Sequence, residues 1–201
     1  MKRKNLTIIL CLTLGLIGYT IRVLYVNIYT PKVETVTYEI GQWIDLSDTF
    51  LDSKRSEQRE GYSVNVKRAE LLSYNEFVSR YGHEKDQIAG LDEKNVVDVE
   101  LEIKNVGNED GYISTLLCNM ISESKNYYLN RDIILFNMSQ PGINDFGIIS
   151  IRSDSEYTTH IPYTLNTGDD MVRFEKPLSD KHFEFVFSNA PIRQVVNIQL
   201  D

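Results

Sequence analysis

The residues able to do chemistry are few and scattered. There are three histidines, His83, His160 and His182, and no two are close in sequence. A His-His-carboxylate metal site needs ligands that converge on one cation, and the spacing provides no such set. His83 follows a helix stop in a polar stretch. His160 lies among Thr158, Thr159 and Thr164 on the expected outer face of a strand, and His182 opens a strand beside Lys181. All three are read as surface residues without a role. Two cysteines occur, Cys11 and Cys118. Cys11 falls in an apolar run at the amino end and Cys118 in an apolar run of the body, where a thiol behaves as a small core residue. No disulfide within the chain and no CxxC zinc site is expected. G-x-S-x-G, H-E-x-x-H and P-loop patterns are missing.

Oxygen ligands cluster at Asn108-Glu109-Asp110-Gly111 and again at Asp169-Asp170 after Gly168. Calcium uses such groups, but hairpin turns want the same residues, and the turn is the expected reading of both. Asn137-Met138-Ser139 fits the glycosylation pattern at an expected strand end. Tyr127-Tyr128 and the loop 141–146 place aromatics near turns, as a binding surface or as packing at the core edge. No catalytic, cofactor-binding or metal-ligating role is therefore assigned to any residue.

The amino end is more informative. Lys2-Arg3-Lys4 precedes sixteen uncharged residues, Leu6 to Ile21. As a helix they cover about 24 Å, and continuation to Tyr29 reaches the roughly 30 Å of a hydrocarbon core. Arg22 would snorkel near one interface, and Tyr19, Tyr25 and Tyr29 suit the interfacial belt. The basic cluster belongs on the cytoplasmic side, which puts the rest of the chain outside. A cleaved signal peptide is the competing reading. Cleavage wants small residues at −3 and −1, and the best match, Gly18-Tyr19-Thr20, is poor. Leu10 before Cys11 is wrong for a lipoprotein. The expectation is an uncleaved anchor over 1–30 and an extracytoplasmic domain over 31–201.

The charge is divided the same way. The chain carries −8 from 21 bases and 29 acids. Residues 1–30 hold four bases and no acid, so the remainder carries −12. An acidic body does not suit nucleic acid, whose phosphates need a basic patch. With 42% apolar and 25% charged residues over 201 positions, the body has the composition of one globular domain.

Its periodicity is that of strands. Val97, Val99, Leu101 and Ile103 alternate with Asp98, Glu100, Glu102 and Lys104, the mark of a half-buried antiparallel strand over 96–106. Tyr62, Val64 and Val66 alternate too, and the apolar phase then slips to Ala69 and Leu71, which predicts a bulge near Lys67-Arg68. An extended stretch runs from Pro31 through Val36 and Tyr38, and 52–60 reads as a charged loop. Tyr112 to Met120 returns the chain. Further strands are expected at about 133–137, 147–152, 157–165, 182–188 and 193–200, with Phe183, Phe185 and Phe187 on one face. The one expected helix spans 74–81, between the capping-box pattern Ser73-Tyr74-Asn75-Glu76 and Gly82. Together these predict an all-β antiparallel sandwich with one short helix behind a transmembrane helix.

Three segments carry a resemblance: Gly61 to Gly82, Val96 to Gly107, and Phe185 to Leu200. Over roughly 36–200 the chain resembles a family of single-span extracytoplasmic proteins of low-GC Gram-positive bacteria, catalogued as a domain of unknown function. The resemblance implies an immunoglobulin-like (telokin-like) sandwich and a place in the cell envelope, and it carries no catalytic residue. The expected function is a membrane-anchored binding or interaction module with a protein partner in the envelope, not an enzyme. Two alternatives remain at this level: a cell-wall hydrolase or metal-dependent enzyme, and a structural subunit of an envelope complex.

Overall fold

The computed structural model describes residues 3–29, 32–54, 57–82, 95–124, 128–143, 147–164 and 182–200. The chain divides into two compact units, 1–32 and 33–201. The first is a single helix, α1 (Arg3–Tyr29), and its stretch Ile9–Tyr29 is long and apolar enough to cross a membrane. Two of its hydroxyls are satisfied within the helix. Thr13 and Thr20 hydroxyls donate to the carbonyls of Ile9 and Leu16 at 2.9 Å, which hides them along the helix itself.

The second unit is mostly β. Its strands are β1 (Glu34–Tyr38), β2 (Trp43–Asp45), β3 (Tyr62–Ser73), β4 (Asn95–Asn105), β5 (Ile113–Ser114), β6 (Asn119–Ser122), β7 (Tyr128–Arg131), β8 (Ile148–Ile149), β9 (Ser155–Thr164), β10 (His182–Ser188) and β11 (Ile192–Gln199). Nine form one sheet in the order β1-β11-β10-β6-β7-β9-β4-β3-β2, and β5 pairs with β8 separately. The two ends of that order, β1 and β2, are separated by only residues 39–42, a reach of at most about 18 Å. The sheet must therefore turn back on itself. The main hydrophobic core takes residues from both halves. Tyr163 of β9 meets Phe185 of β10 edge-on at 5.4 Å, and Phe185 meets Phe187 at 4.7 Å.

The period-2 reading of β4 holds. Val97, Val99, Leu101 and Ile103 are all buried, whereas Glu100 pairs with Arg68 at 3.3 Å, Glu102 with Lys67 at 3.4 Å and Lys104 with Glu156 at 3.0 Å. The bulge also lies where the phase slips, between Val66 and Arg68 opposite Leu101 and Glu100. Helix α2 (Tyr74–Tyr81) has both capping-box bonds, with Glu76 N–H donating to Ser73 Oγ (3.3 Å) and Ser73 N–H to Glu76 Oε2 (2.8 Å).

Three expectations need correction. Residues 133–137 are not a strand but the start of a second helix, α3 (Ile133–Ser139). The β-branched Ile133-Ile134 pair reads as strand, but Asp132 caps the segment by accepting from the N–H groups of Ile134 and Leu135, and Leu135 then joins a small second core with Phe77, Val78 and Val96. The sheet is not wholly antiparallel, because β1 runs parallel to β11. The run 112–120 is broken: a 3-10 turn at Thr115–Leu117 separates β5 from β6.

The segment 52–60, read as a charged loop, is fixed from inside. Glu57 and Arg59 form a buried ion pair at 2.8 Å. The Glu57 carboxylate also accepts from the backbone N–H groups of Leu51, Asp52 and Ser53 at 2.8 to 3.2 Å. Arg59 Nη2 donates to the Phe187 carbonyl at 2.7 Å, joining the loop to β10. Asn105, wholly buried, donates to the carbonyls of Asn108 and Ile151.

Replacing Leu101 by Asp should cost several kcal/mol, on the order of 3–5, because an unpaired charge enters the core. Glu100→Lys, on the wetter face, should cost under about 1 kcal/mol. Urea denaturation of the two variants separates these outcomes, and equal stabilities would reverse the facing of β4. Acid should also loosen the 46–61 segment. Burial pushes the Glu57 carboxyl up, but the N–H groups of Asp52, Leu51 and Ser53 with Arg59 outweigh it and hold the group below the usual carboxylate value. A depressed folded value means the stabilisation is complete above the unfolded value and is lost as pH falls through the folded one. The denaturation midpoint should therefore fall below about pH 4.5, more steeply in the wild type than in Glu57→Gln.

Candidate functional site

Polar side chains converge in two places. The first lies beneath α2. Tyr81 leaves the last turn of that helix and donates its hydroxyl to Asp98 Oδ2 at 2.6 Å. Its oxygen then accepts from His160 Nδ1 at 2.8 Å, which assigns the ring proton to Nδ1. His160 Nδ1 is also 3.3 Å from Asp98 Oδ2. Arg80 stands 3.8 Å from the same carboxylate and bonds Glu70 at 2.6 Å. The Asp98 side chain is only 2% exposed, and its Oδ1 has no hydrogen-bond partner. Burial, reinforced by the hydrogen bond and charge of Asp98, raises the Tyr81 phenol well above its ordinary value.

His160 is thus not a free surface residue, as the alternation of β9 implied. It does sit on the outer face, but α2 covers that face, and the Ser139 hydroxyl of α3 donates to its backbone carbonyl. Among the described residues nothing bonds its Nε2. An Asp-His pair can act as a general base when Nε2 meets a nucleophile, but here the pair is spent on Tyr81. The arrangement holds α2 to β4 and β9. Asp98 and His160 are sixty-two positions apart, so no spacing motif could announce them.

The second place is an open groove of about 620 Å³ at one end of the sheet. Thr37, Glu39 and Ile40 line it from the end of β1, His182 and Glu184 from β10, and Glu123 from just beyond β6. The parallel pairing of β1 on β11 and the antiparallel β10 bring these ends together. Glu184 is held by Arg193 at 2.7 Å. Glu39 and Glu123 are exposed. His182 is exposed, as its sequence position suggests, but its place in a groove depends on strands far apart in the chain.

The other sequence candidates resolve as follows. Cys118 is buried, and that burial pushes its thiol up to about 12, so it is inert packing. At 108–111 the Asn108 side-chain oxygen accepts from the N–H groups of Asp110 and Gly111 (3.0 and 2.6 Å), and its amide donates to the carbonyls of Gln58 and Glu60. The segment is a turn clasped to the 57–61 loop. A Cβ on Gly111 would come within 2.2 Å of the Gln58 carbonyl oxygen, which explains glycine there. Asn137 lies within α3 with its side-chain oxygen buried, not at a strand end. Tyr128 is exposed at the start of β7. His83, Asp169-Asp170, Tyr127 and residues 144–146 lie outside the described residues. Among the described residues no three His, Cys, Asp or Glu side chains are grouped to hold a metal ion.

A long apolar helix followed by a folded-over, mostly β unit defines the class. Residues 35–194 match the family model described as Domain of unknown function (DUF5028), and the chain belongs to that family. No curated protein and no solved structure matches it.

Tyr81→Phe should destabilise the fold by about 1–3 kcal/mol, because it strips a buried carboxylate of its best donor. His160→Ala should cost a similar amount. Chemical denaturation measures both, and hydrogen exchange should place the added opening in 74–81.

Proposed function

We propose that the protein is a membrane-anchored binding module whose folded unit lies outside the cytoplasm, in the cell envelope, and engages a protein partner without catalysing a reaction. The groove at the end of β1, β10 and β11 carries this reading. A rigid sheet presents an open cleft of binding size there, whereas the other convergent polar set, around Asp98, is closed beneath a helix. The basic residues Lys2, Arg3 and Lys4 ahead of the apolar run support the outward orientation. A mostly β unit whose nine-stranded sheet turns back over a shared core supports an immunoglobulin-like sandwich, with β7, which pairs with both β6 and β9, as the departure.

Protease added to intact protoplasts should remove the folded unit and spare α1. A photo-crosslinking residue placed at Thr37 in the full-length chain in living cells should give a discrete adduct, and the same residue at Glu109 should not. An adduct pattern indifferent to position would end the binding-groove reading, and a protected folded unit would end the outward one.

A further inference from the structure

A charge lies inside the apolar helix. The stretch Ile9–Tyr29 is long and apolar enough to cross a membrane, and Arg22 is the one charged residue in it. At helical rise Arg22 is about 10 Å short of the Tyr29 end and about 20 Å from the Ile9 end. Side chains on a helix lean towards its amino end. The guanidinium therefore leans away from the nearer interface, and snorkelling to that interface works against the lean. α1 holds no acidic residue, so no carboxylate along the helix can neutralise it. A charge at such depth is costly in lipid unless it is paired.

The face that carries Arg22 has a second property. Cys11, Gly15, Gly18, Arg22, Tyr25 and Tyr29 follow one another at spacings of 4, 3, 4, 3 and 4 residues, the period of a helix–helix seam. The Tyr25 and Tyr29 rings lie 4.6 Å apart along it. A Cβ on Gly15 or Gly18 would meet nothing within 4 Å, so no contact among the described residues requires glycine at either place. Glycine weakens a helix relative to alanine, and what it offers in a membrane is close approach of another backbone. Thr13 and Thr20, on the far side, are satisfied within the helix and call for no partner.

We propose that α1 packs in the bilayer along this face against a transmembrane helix of another protein, one that carries an aspartate or glutamate at the depth of Arg22. This rests on α1 remaining in the membrane as the anchor. A second copy does not fit. Copies inserted the same way round meet in parallel, and a symmetric seam would set one Arg22 against the other, two like charges with no water between them. Lipid phosphates lie at the interface, on the side from which the Arg22 side chain leans away. A carboxylate on a partner helix supplies the opposite charge at the right depth, and the two glycines let that helix approach closely enough to pair.

The test reconstitutes the full-length chain in vesicles of zwitterionic phosphatidylcholine with synthetic Leu-Ala helices of 21 residues, the length of Ile9–Tyr29, flanked by lysines. Each carries Cys at its third position and Glu, Gln or Leu at its fourteenth, the depths of Cys11 and Arg22 counted from Ile9. Copper phenanthroline then joins Cys11 to the probe where the helices lie parallel along the proposed face, and Cys118 is buried. The adduct should form roughly fivefold faster with the Glu helix than with the Gln or Leu helix. That advantage should vanish in R22L. The Glu adduct should slow about as much in G15I/G18I, and again in C11S/T13C, which moves the thiol to the far side. Equal rates with the Glu and Gln helices, or an advantage that survives R22L, would overturn the charge pairing. Indifference to G15I/G18I or to C11S/T13C would overturn the seam. Disulfide-linked dimers of the chain forming as fast as the Glu adduct would overturn the partner helix in favour of a second copy. Carbonate-washed membranes of living cells should retain the chain at full length. A chain shortened by α1 would end the anchor reading itself, whereas failure of the Glu helix beside a retained chain would end only the pairing.

Discussion

The buried pair of Glu57 and Arg59 is the constraint on which the arrangement of the layers depends. It lies in a stretch without regular structure, yet it ties three parts of the chain together. One carboxylate gathers three consecutive backbone N–H groups and a guanidinium, and the guanidinium reaches across to a carbonyl of β10. The same loop then bonds the β10–β11 turn, where Asn189 N–H donates to the Phe50 carbonyl and the Asn189 amide to that of Leu51. Neither charge could be buried alone. Removing one member of such a pair leaves an uncompensated charge, typically at a cost of about 3–5 kcal/mol. The pair therefore specifies one seating of the loop against the sheet.

With that loop fixed, β4 can serve as the spine. It pairs along its length with β3 and β9, its inner side chains fill the core, and its outer side chains form an ion-pair ladder exposed to water. Only at Asp98 does the outer face become buried, because α2 and α3 pack there. A Cβ on Gly82 would meet Met138 of α3 at 2.5 Å, which shows how closely the two helices approach. Asp98, Tyr81 and His160 are the polar bonds that this second small core requires, and a histidine and an aspartate that resemble catalytic equipment are thereby given a structural task.

The other end of the sheet is built differently. There β1, the first strand after the apolar helix α1, joins the last strand in parallel, and among the described residues no helix covers the outer face at their ends. Carboxylates remain solvated, and a strand edge remains open. One end of the fold thus hides its charges and the other displays them, which is why the proposed recognition falls at the displayed end.

Much of the fold was legible in local pattern. The apolar run behind three basic residues, the alternation in β4, the phase slip at Lys67, and the capping box at Ser73 each depend on spacings of a few residues, and period and cap chemistry report those directly. Where local signals conflict, pattern fails. Ile133 and Ile134 favour strand by side-chain shape, while Asp132 favours a helix start, and burial of Leu135 in the second core decides for helix. The Asp98–Tyr81–His160 contact, the depth of Glu57 and Arg59, the parallel seat of β1 and the groove around Glu39 and Glu123 were not legible at all. Each is made by residues brought together only when distant strands pair, and an isolated charged residue reads the same whether it will face water or a partner. The sequence by itself therefore determined the elements and which of their faces are apolar. The tertiary structure alone decided which polar side chains meet, because burial and partnership are properties of the packed chain.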